Sequence, residues 1–280
     1  MSEHPVIACY RGLDSADGVG LAALLAQTLD QPLVLASAYH YEAIGLGPSA
    51  LPAADNDRRA DAAMARLQRA RRFVPPGIDV REEVVPATGV PEALTALARD
   101  IDACVLTVGR DTSGRVTRSL LSRAPCPIAV APLSVPLPRS GPLRRIGVAY
   151  DGSTTAQSAL VAAMQLARAT DAQLVLLGAG TTAERAAVWL HVARLAIDDD
   201  IDRTARELVG DPASVLAEAS ADVDLLVCGT RGRGRALGKL LGSVSAHLLT
   251  HAECPLIVVP PVVWRSDRGP LGLTSAASNA

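Results

Sequence analysis

The segment from Gly229 to Leu249 has the residue types of a phosphate-binding loop. It reads GTRGRGRALGKLLGSVSAHLL, with five glycines, four cations and no acidic residue before the apolar end. Glycine lets backbone N–H groups approach a ligand closely, and a run of such groups forms an anion-binding nest. We expect Ser243 to cap a helix whose free N–H groups add the positive end of its dipole. The segment therefore predicts a polyphosphate site.

The common glycine-rich phosphate motifs do not explain this loop. Gly234 to Lys239 is one residue too short for a Walker A loop, and the Ser/Thr that would hold Mg²⁺ is missing. A dinucleotide-binding G-x-G-x-x-G is absent from the sequence. Composition alone would also fit a flexible basic surface loop. The position after a buried strand and before a helix favours the ligand site instead.

The elements around the loop alternate between strands and helices. We predict strands near 146–150, 173–178, 201–208, 224–228 and 255–259, and helices near 154–169, 182–196, 212–220 and 243–251. The runs LLVC and LIVV are continuously apolar, as expected when helices cover both faces of a parallel sheet. Such doubly wound sheets bind ligands at the carboxyl ends of their strands, where the strand order reverses.

The same order of elements occurs twice. VIACYRG at 6–12 parallels GVAYDG at 147–152, and CPIAVAP at 126–132 parallels CPLIVVP at 254–260. The predicted fold class is therefore α/β, with two tandem doubly wound domains, each a five-stranded mostly parallel sheet with helices on both faces.

The repeat also predicts the domain boundaries. We place one domain at 1–132, a proline-rich linker at 133–143, a second domain at 144–261 and a flexible tail at 262–280. Each domain ends in a short apolar strand of the kind that invites pairing. We expect the two closing strands to pair, which makes one chain a pseudo-dimer, and two chains to be able to form a homodimer.

The composition limits the classes of partner that we expect the chain to bind. Hydrophobic residues make up 49% of the chain and charged residues 20%, with a net charge of −2. This balance favours neither a nucleic acid nor a membrane as partner, and with 2% aromatic residues we do not expect base stacking on exposed rings. The five cysteines form no C-x-x-C pair and the first residues do not resemble a signal peptide, so we expect free thiols in the cytoplasm.

The spacing Gly229-x-x-Gly232-(nine residues)-Gly242-Ser243 resembles the ATP-binding signature of the universal stress protein family. VAYDGS at 148–153 is similar to that family's opening strand and turn, and SVSAHLLTHAECPLIVVP at 243–260 to its closing helix and strand. The resemblance extends over the whole chain as a tandem pair. It implies an adenine nucleotide as partner and ATP as cofactor, with or without Mg²⁺.

The resemblance also implies a role for individual residues. Asp151 would meet the adenine and ribose, although Asp-Gly-Ser is equally good turn chemistry. The backbone of Ala179 would line the adenine pocket. The ribose would lie beside Cys228 and Gly229. The phosphates would be held by residues of the loop and of the following helix start: Arg231, Gly232, Gly242, Ser243 and Val244.

The first copy departs from this pattern. Arg11 stands where the second copy has Asp151, and Gly109 to Cys126 spans 17 residues where Gly229 to Cys254 spans 25. The spacer and the Gly-Ser pair are therefore missing. We expect a degenerate first domain and one ATP per chain.

The sequence offers little for catalysis. Ser153 has no evident triad partner, His247 and His251 lack a third metal ligand of matching spacing, and the acidic run at 198–200 fits a solvated loop. Three classes of function remain. The preferred one is a nucleotide-responsive regulatory stress protein that is not an enzyme. The alternatives are a weak ATP hydrolase or phosphoryl-transfer enzyme, and a ligand-free structural or interaction protein whose protein partner is unknown.

Overall fold

The computed structural model describes residues 3–41, 53–109, 115–132, 142–230, 241–260 and Leu271. In the first half of the chain, strands and helices alternate as the sequence predicts. The strands are β1 (Val6–Cys9), β2 (Leu33–His40), β3 (Val80–Ala87), β4 (Val105–Val108) and β5 (Ile128–Val130). The helices are α1 (Ala16–Leu29), α2 (Ala53–Ala70), α3 (Val90–Asp100) and α4 (Arg115–Leu121).

The second half repeats this order, and each element lies within a few residues of its predicted position. The strands are β6 (Arg145–Ala149), β7 (Gln173–Gly180), β8 (Arg203–Val209), β9 (Leu225–Gly229) and β10 (Leu256–Val259). The helices are α5 (Thr154–Thr170), α6 (Ala183–Leu195), α7 (Pro212–Ala219) and α8 (Ser243–His251). At the start of α7, Asp211 is the capping residue and Pro212 is the first helical residue, as expected.

Within the described ranges the strands form one sheet in the order β3-β2-β1-β4-β5-β10-β9-β6-β7-β8. Neighbouring strands are parallel inside each half. The halves join where β5 and β10 pair antiparallel, with Ile257 opposite Ala129. The predicted pairing of the closing strands is therefore confirmed. In the second half the strand order reverses between β6 and β9, which is where a doubly wound sheet forms its ligand crevice.

Helices cover both faces of the sheet. Leu225 and Val227 of β9 belong to the core cluster that includes residues of α1, α2, α5 and α6, whereas Leu226 and Cys228 belong to the cluster on the other face, with residues of α3, α4, α7 and α8. Successive strand residues point to opposite faces, so a strand covered on both sides must be apolar throughout. The continuous apolar runs of the sequence have this cause, and the predicted fold class is confirmed.

One residue of the expected linker and one of the expected flexible tail are buried in the structure. Leu143, at the end of the expected linker, is buried, and so is Leu271, in the expected flexible tail. The backbone N–H of Leu271 donates a 3.1 Å hydrogen bond to Oε1 of Gln165 on α5. At this position the tail is held against α5, because burying a leucine offsets the entropy lost on ordering it. Residues 133–141, 261–270 and 272–280 lie outside the described residues.

Candidate functional site

A cleft of about 590 Å³ opens at the carboxyl ends of β6, β7 and β9. It lies at the reversal of strand order, and its size is typical of a small-molecule site. Seven of the nine residues selected from the sequence line it: Asp151, Ala179, Cys228, Gly229, Gly242, Ser243 and Val244. They come from three strand ends and one helix start, so the fold brings together residues that are up to 93 positions apart in sequence.

Asp151 holds a tight turn at the edge of the cleft. Its Oδ1 accepts a 3.0 Å hydrogen bond from the backbone N–H of Ser153. Gly152 between them has φ of 73°, a conformation that favours glycine. The Ser153 hydroxyl in turn accepts from the N–H of Ala156 and caps α5. The turn role of Asp151 is thus present, together with its position on the cleft.

Gly229 lies where the first turn of α5 approaches the end of β9. A β-carbon built on Gly229 would lie 2.5 Å from Oγ1 of Thr155 and 2.7 Å from its carbonyl carbon. Such distances are shorter than any van der Waals contact, so a side chain would push α5 away from the sheet. The glycine is required here by a close approach between two elements.

The start of α8 corrects one expectation about capping. Gly242, with φ of −70° and ψ of 158°, is the capping residue, and Ser243 is already the first helical residue. The cap makes no side-chain hydrogen bond. Ser243 cannot cap the helix because the extended backbone that a cap needs is one residue earlier.

Hydrogen bonds at this helix start close the base of the glycine-rich loop. The carbonyl oxygen of Thr230 accepts a 2.7 Å bond from the N–H of Gly242 and a 2.9 Å bond from the hydroxyl of Ser245. The N–H of Thr230 donates to the carbonyl of Val259 on β10. The loop therefore leaves and re-enters the fold at one point beside the cleft. Arg231 and Gly232, the other two residues selected from the sequence, lie outside the described residues.

Two helices contribute cleft residues that the sequence reasoning missed. Val188 and Trp189 of α6 form one wall, and Pro212 and Leu216 of α7 form another. A signal for Trp189 existed in the sequence. It lies three residues after Ala186 and four before Ala193, both fully buried, so helical spacing places it toward the inside.

Cys228 lines the cleft, and its thiol is not a nucleophile. Complete burial raises its pKa to about 12, so the group is a neutral thiol at physiological pH. Cysteine chemistry depends on the thiolate, which this environment disfavours. The site therefore offers Cys228 for packing alone.

The possible metal ligands are engaged elsewhere. His247 and His251 stack with ring centroids 3.9 Å apart on α8, and Nδ1 of His251 lies 3.0 Å from the carbonyl of His247. In the acidic run, Asp200 pairs with Arg168 at 3.0 Å and Asp199 pairs with Arg203 at 3.2 Å. Among the described residues, no group of three or more histidines, cysteines or carboxylates is arranged to hold a metal ion.

The first half differs at the equivalent positions. Arg11, exposed after β1, takes the place of Asp151, and its backbone N–H donates to the Ser15 hydroxyl at 3.0 Å. A β-carbon on Gly18 of α1 would lie 2.5 Å from the backbone nitrogen of Gly109, so α1 lies directly against the end of β4. The glycine at this close approach is on the helix, whereas in the second half Gly229 is at the end of the strand. Helix α4 has seven residues where α8 has nine.

The described helices contain no segment that combines the length and apolar character needed to cross a bilayer.

Comparisons with known proteins agree with this architecture. The model of the universal stress protein family matches residues 178–260. Two universal stress proteins of Mycobacterium tuberculosis are each 29% identical; the alignments cover 65% of this chain and 69% of the first relative, and 71% of this chain and 73% of the second. The crystal structure of a universal stress protein from Archaeoglobus fulgidus superposes with a TM-score of 0.73 over 93% of this chain and all of that one, at 16% identity. That likeness concerns the fold, and the sequence matches show that the chain is similar to members of the universal stress protein family.

Proposed function

We propose that the chain binds one adenine nucleotide, ATP, in the cleft of residues 144–261 and acts as a nucleotide-responsive regulatory stress protein. One observation carries the proposal. The cleft at the strand-order reversal joins a carboxylate, Asp151, to the start of α8, which has no side-chain cap. A nucleoside needs polar groups that bind its hydroxyls, and phosphates need N–H donors. Asp151 would bind the nucleoside end of the ligand, and the N–H groups at the start of α8 would bind the phosphates.

The phosphate end lies at Gly242 and Ser243. The first N–H groups of a helix lack partners within the helix and carry the positive end of its dipole. The four cations of the segment 231–239 belong to a loop whose two ends meet at Thr230 and Gly242. Charge-assisted hydrogen bonds from such a loop are the strong kind that a triphosphate accepts.

The nucleoside end lies between Asp151 and the end of β7. One carboxylate oxygen of Asp151 already holds the Ser153 N–H, which fixes the direction of the side chain. A ribose hydroxyl or a base N–H would donate to this oriented carboxylate. The backbone of Ala179 and Gly180 lies on the same side of the cleft.

A regulatory role fits this site better than catalysis. Phosphoryl transfer needs a placed Mg²⁺ and a group that orients the nucleophile. Among the described lining residues, the two carboxylates are Asp151 and Glu184, which lie by β6 and on α6 and not at the start of α8, where the phosphates would bind. The thiol of Cys228 is neutral and is not a nucleophile. We infer binding of ATP, free or with Mg²⁺, without rapid turnover.

The first half, residues 1–132, would serve as a degenerate partner domain joined through β5 and β10. A cytoplasmic location fits the five free cysteines, since such thiols persist in reducing compartments. Association of two such chains into a homodimer remains a prediction.

Isothermal titration of the full chain with ATP, after endogenous nucleotide has been removed by unfolding and refolding, tests the proposal. Asp151→Ala should weaken binding and Gly242→Glu should abolish it, while Asp61→Ala, on an exposed position of α2, should change neither the affinity nor the stoichiometry. Mass spectrometry of any ligand released on unfolding identifies the nucleotide. A chain that binds no adenine nucleotide would support the ligand-free alternative, and turnover above a heat-inactivated control would support the enzyme.

A further inference from the structure

Trp189 is the half-buried aromatic residue of the cleft wall. It lies on α6 and lines the cleft next to Val188, which is 55% exposed. Tyr150, the other ring among the lining residues, is 3% exposed and belongs to the core. Of these two aromatic side chains, Trp189 therefore presents the larger surface to a ligand.

The indole is fixed against the turn that carries Asp151. A β-carbon on Gly152 would lie 2.4 Å from Cε3 and 2.5 Å from Cζ3 of Trp189, so the ring packs directly on the backbone of that turn. A ring held in this way loses little further conformational freedom when a ligand arrives. Preorganised contacts of this kind favour binding.

The wall opposite is also apolar. Pro212 and Leu216 of α7 line the cleft from the other face of the sheet, and Leu177 and Ala179 lie at the end of β7 between the two helices. A slot with an aromatic ring on one side and aliphatic groups on the other suits a flat, weakly polar ring. The proposed phosphate contacts, Gly242 and Ser243, lie at the start of α8 and not on this wall.

We propose that Trp189 determines specificity at this site by contacting the base of the nucleotide, an assignment that rests on the proposed function. The ring gives the site affinity for the base itself, so ligands with a base are selected over inorganic polyphosphates. The low aromatic content argues against stacking on exposed rings, but Trp189 is half-buried in the cleft wall. Base stacking on aromatic side chains is tolerant of base identity, because every base presents a π face. The polar groups near Asp151, and not Trp189, would then distinguish adenine from other bases.

The sequence provides a direct spectroscopic probe. The chain has two tryptophans, Trp189 and Trp264, and Trp264 lies outside the described residues. In a Trp264→Phe variant the tryptophan emission comes from Trp189. Titration with adenosine and with ATP should change this emission, and titration with tripolyphosphate should leave it nearly unchanged.

Affinities of variants separate a contact with the base from a structural role. Trp189→Leu should lower the affinity for ATP by about 5- to 150-fold, the range for loss of one stacked base. Its affinity for tripolyphosphate should stay within about 2-fold, because phosphate binding does not involve the ring. Trp189→Phe, which keeps an aromatic face, should recover most of the ATP affinity. Thermal melts of each variant report whether the fold is kept.

Three results would overturn the assignment. If Trp189→Leu binds ATP as the unmodified chain does and the emission does not change, the base lies elsewhere although the nucleotide site stands. If Trp189→Leu loses ATP and tripolyphosphate equally, the ring acts only by supporting the turn at Gly152. If the unmodified chain binds neither adenosine nor ATP, the proposed function fails first and this inference with it.

Discussion

The backbone N–H of Gly242 donates a 2.7 Å hydrogen bond to the carbonyl oxygen of Thr230. These two residues flank the glycine-rich loop, so the bond fixes both its ends beside the first turn of α8. Gly242 also lines the cleft, where we propose that the phosphates bind.

We expect Gly242→Glu to abolish ATP binding and to leave the fold intact. The backbone of Gly242 is extended, with φ of −70°, so other residues can adopt it without strain. The new carboxylate would fill the phosphate space and repel the ligand. Gly242→Ala is the matched control and should retain most of the affinity. Calorimetry that gives equal ATP affinities for Gly242→Glu and the unmodified chain would refute this position.

Asp151→Ala should weaken binding of adenosine and of ATP by similar factors. The lost charged hydrogen bond is worth roughly 1.5–3 kcal/mol, which corresponds to a loss of affinity of roughly 10- to 150-fold. Asp151→Asn keeps an acceptor for the Ser153 N–H and tests whether the turn alone matters. An effect confined to ATP, with adenosine unchanged, would place Asp151 at the phosphate end instead.

Gly229→Ala should destabilise the protein by about 1–3 kcal/mol, the cost of overpacking a close contact. The added methyl group would collide with Thr155, including its carbonyl carbon at 2.7 Å, so α5 would have to shift. Gly12→Ala is the control, because a β-carbon there meets nothing within 4 Å. Urea unfolding at equal protein concentration measures both variants. Equal midpoints would mean that the contact between α5 and β9 can relax freely.

The cap of α7 should make part of the stability depend on pH. The Ser214 hydroxyl donates to Asp211 at 2.9 Å and the Ser214 N–H at 3.1 Å, and these bonds lower the pKa of the carboxyl group. In the unfolded chain an aspartate has a pKa of about 4. The charged carboxylate of Asp211 therefore contributes fully to the free energy of unfolding above that pH, and this contribution is lost as the pH falls through the lower pKa of the folded state.

Asp211→Asn keeps a capping acceptor without the charge. The advantage of the unmodified chain over this variant should therefore be largest near neutral pH and shrink below pH of about 4. Urea unfolding of both proteins between pH 7 and pH 3 measures the difference, with Asp61→Asn as the control at an exposed position. A difference that does not change with pH would contradict the charged cap.

Stoichiometry tests the asymmetry between the halves. The two halves share their order of elements, so the repeat alone would suggest two nucleotides per chain. Arg11 replaces the carboxylate, and Gly109 to Cys126 spans 17 residues where Gly229 to Cys254 spans 25, so we predict that the first half lacks contacts for both ends of the ligand. We expect one tight nucleotide per full-length chain by equilibrium titration. Two sites of similar affinity would require a different phosphate site in the first half.

The sequence by itself determined the architecture and much of the candidate site. Continuous apolar runs such as LLVC and LIVV predict strands covered on both faces, and the Asp211-Pro212 pair predicts the start of α7. Both signals are local: strand and helix preferences, caps and turns depend on residues close in sequence. The internal repeat then predicted the pairing of β5 with β10, because a similar short apolar strand is left at the end of each copy.

The tertiary structure alone decided the contacts between distant segments. Trp189 reaches the turn at Gly152, Thr155 requires a glycine at position 229, and Leu271 lies buried with its N–H on Gln165. None of these residues carries a local signal for its partner. Each pair is set by how helices pack on the sheet, and packing at near-crystalline density depends on the shapes of side chains brought together from the whole chain.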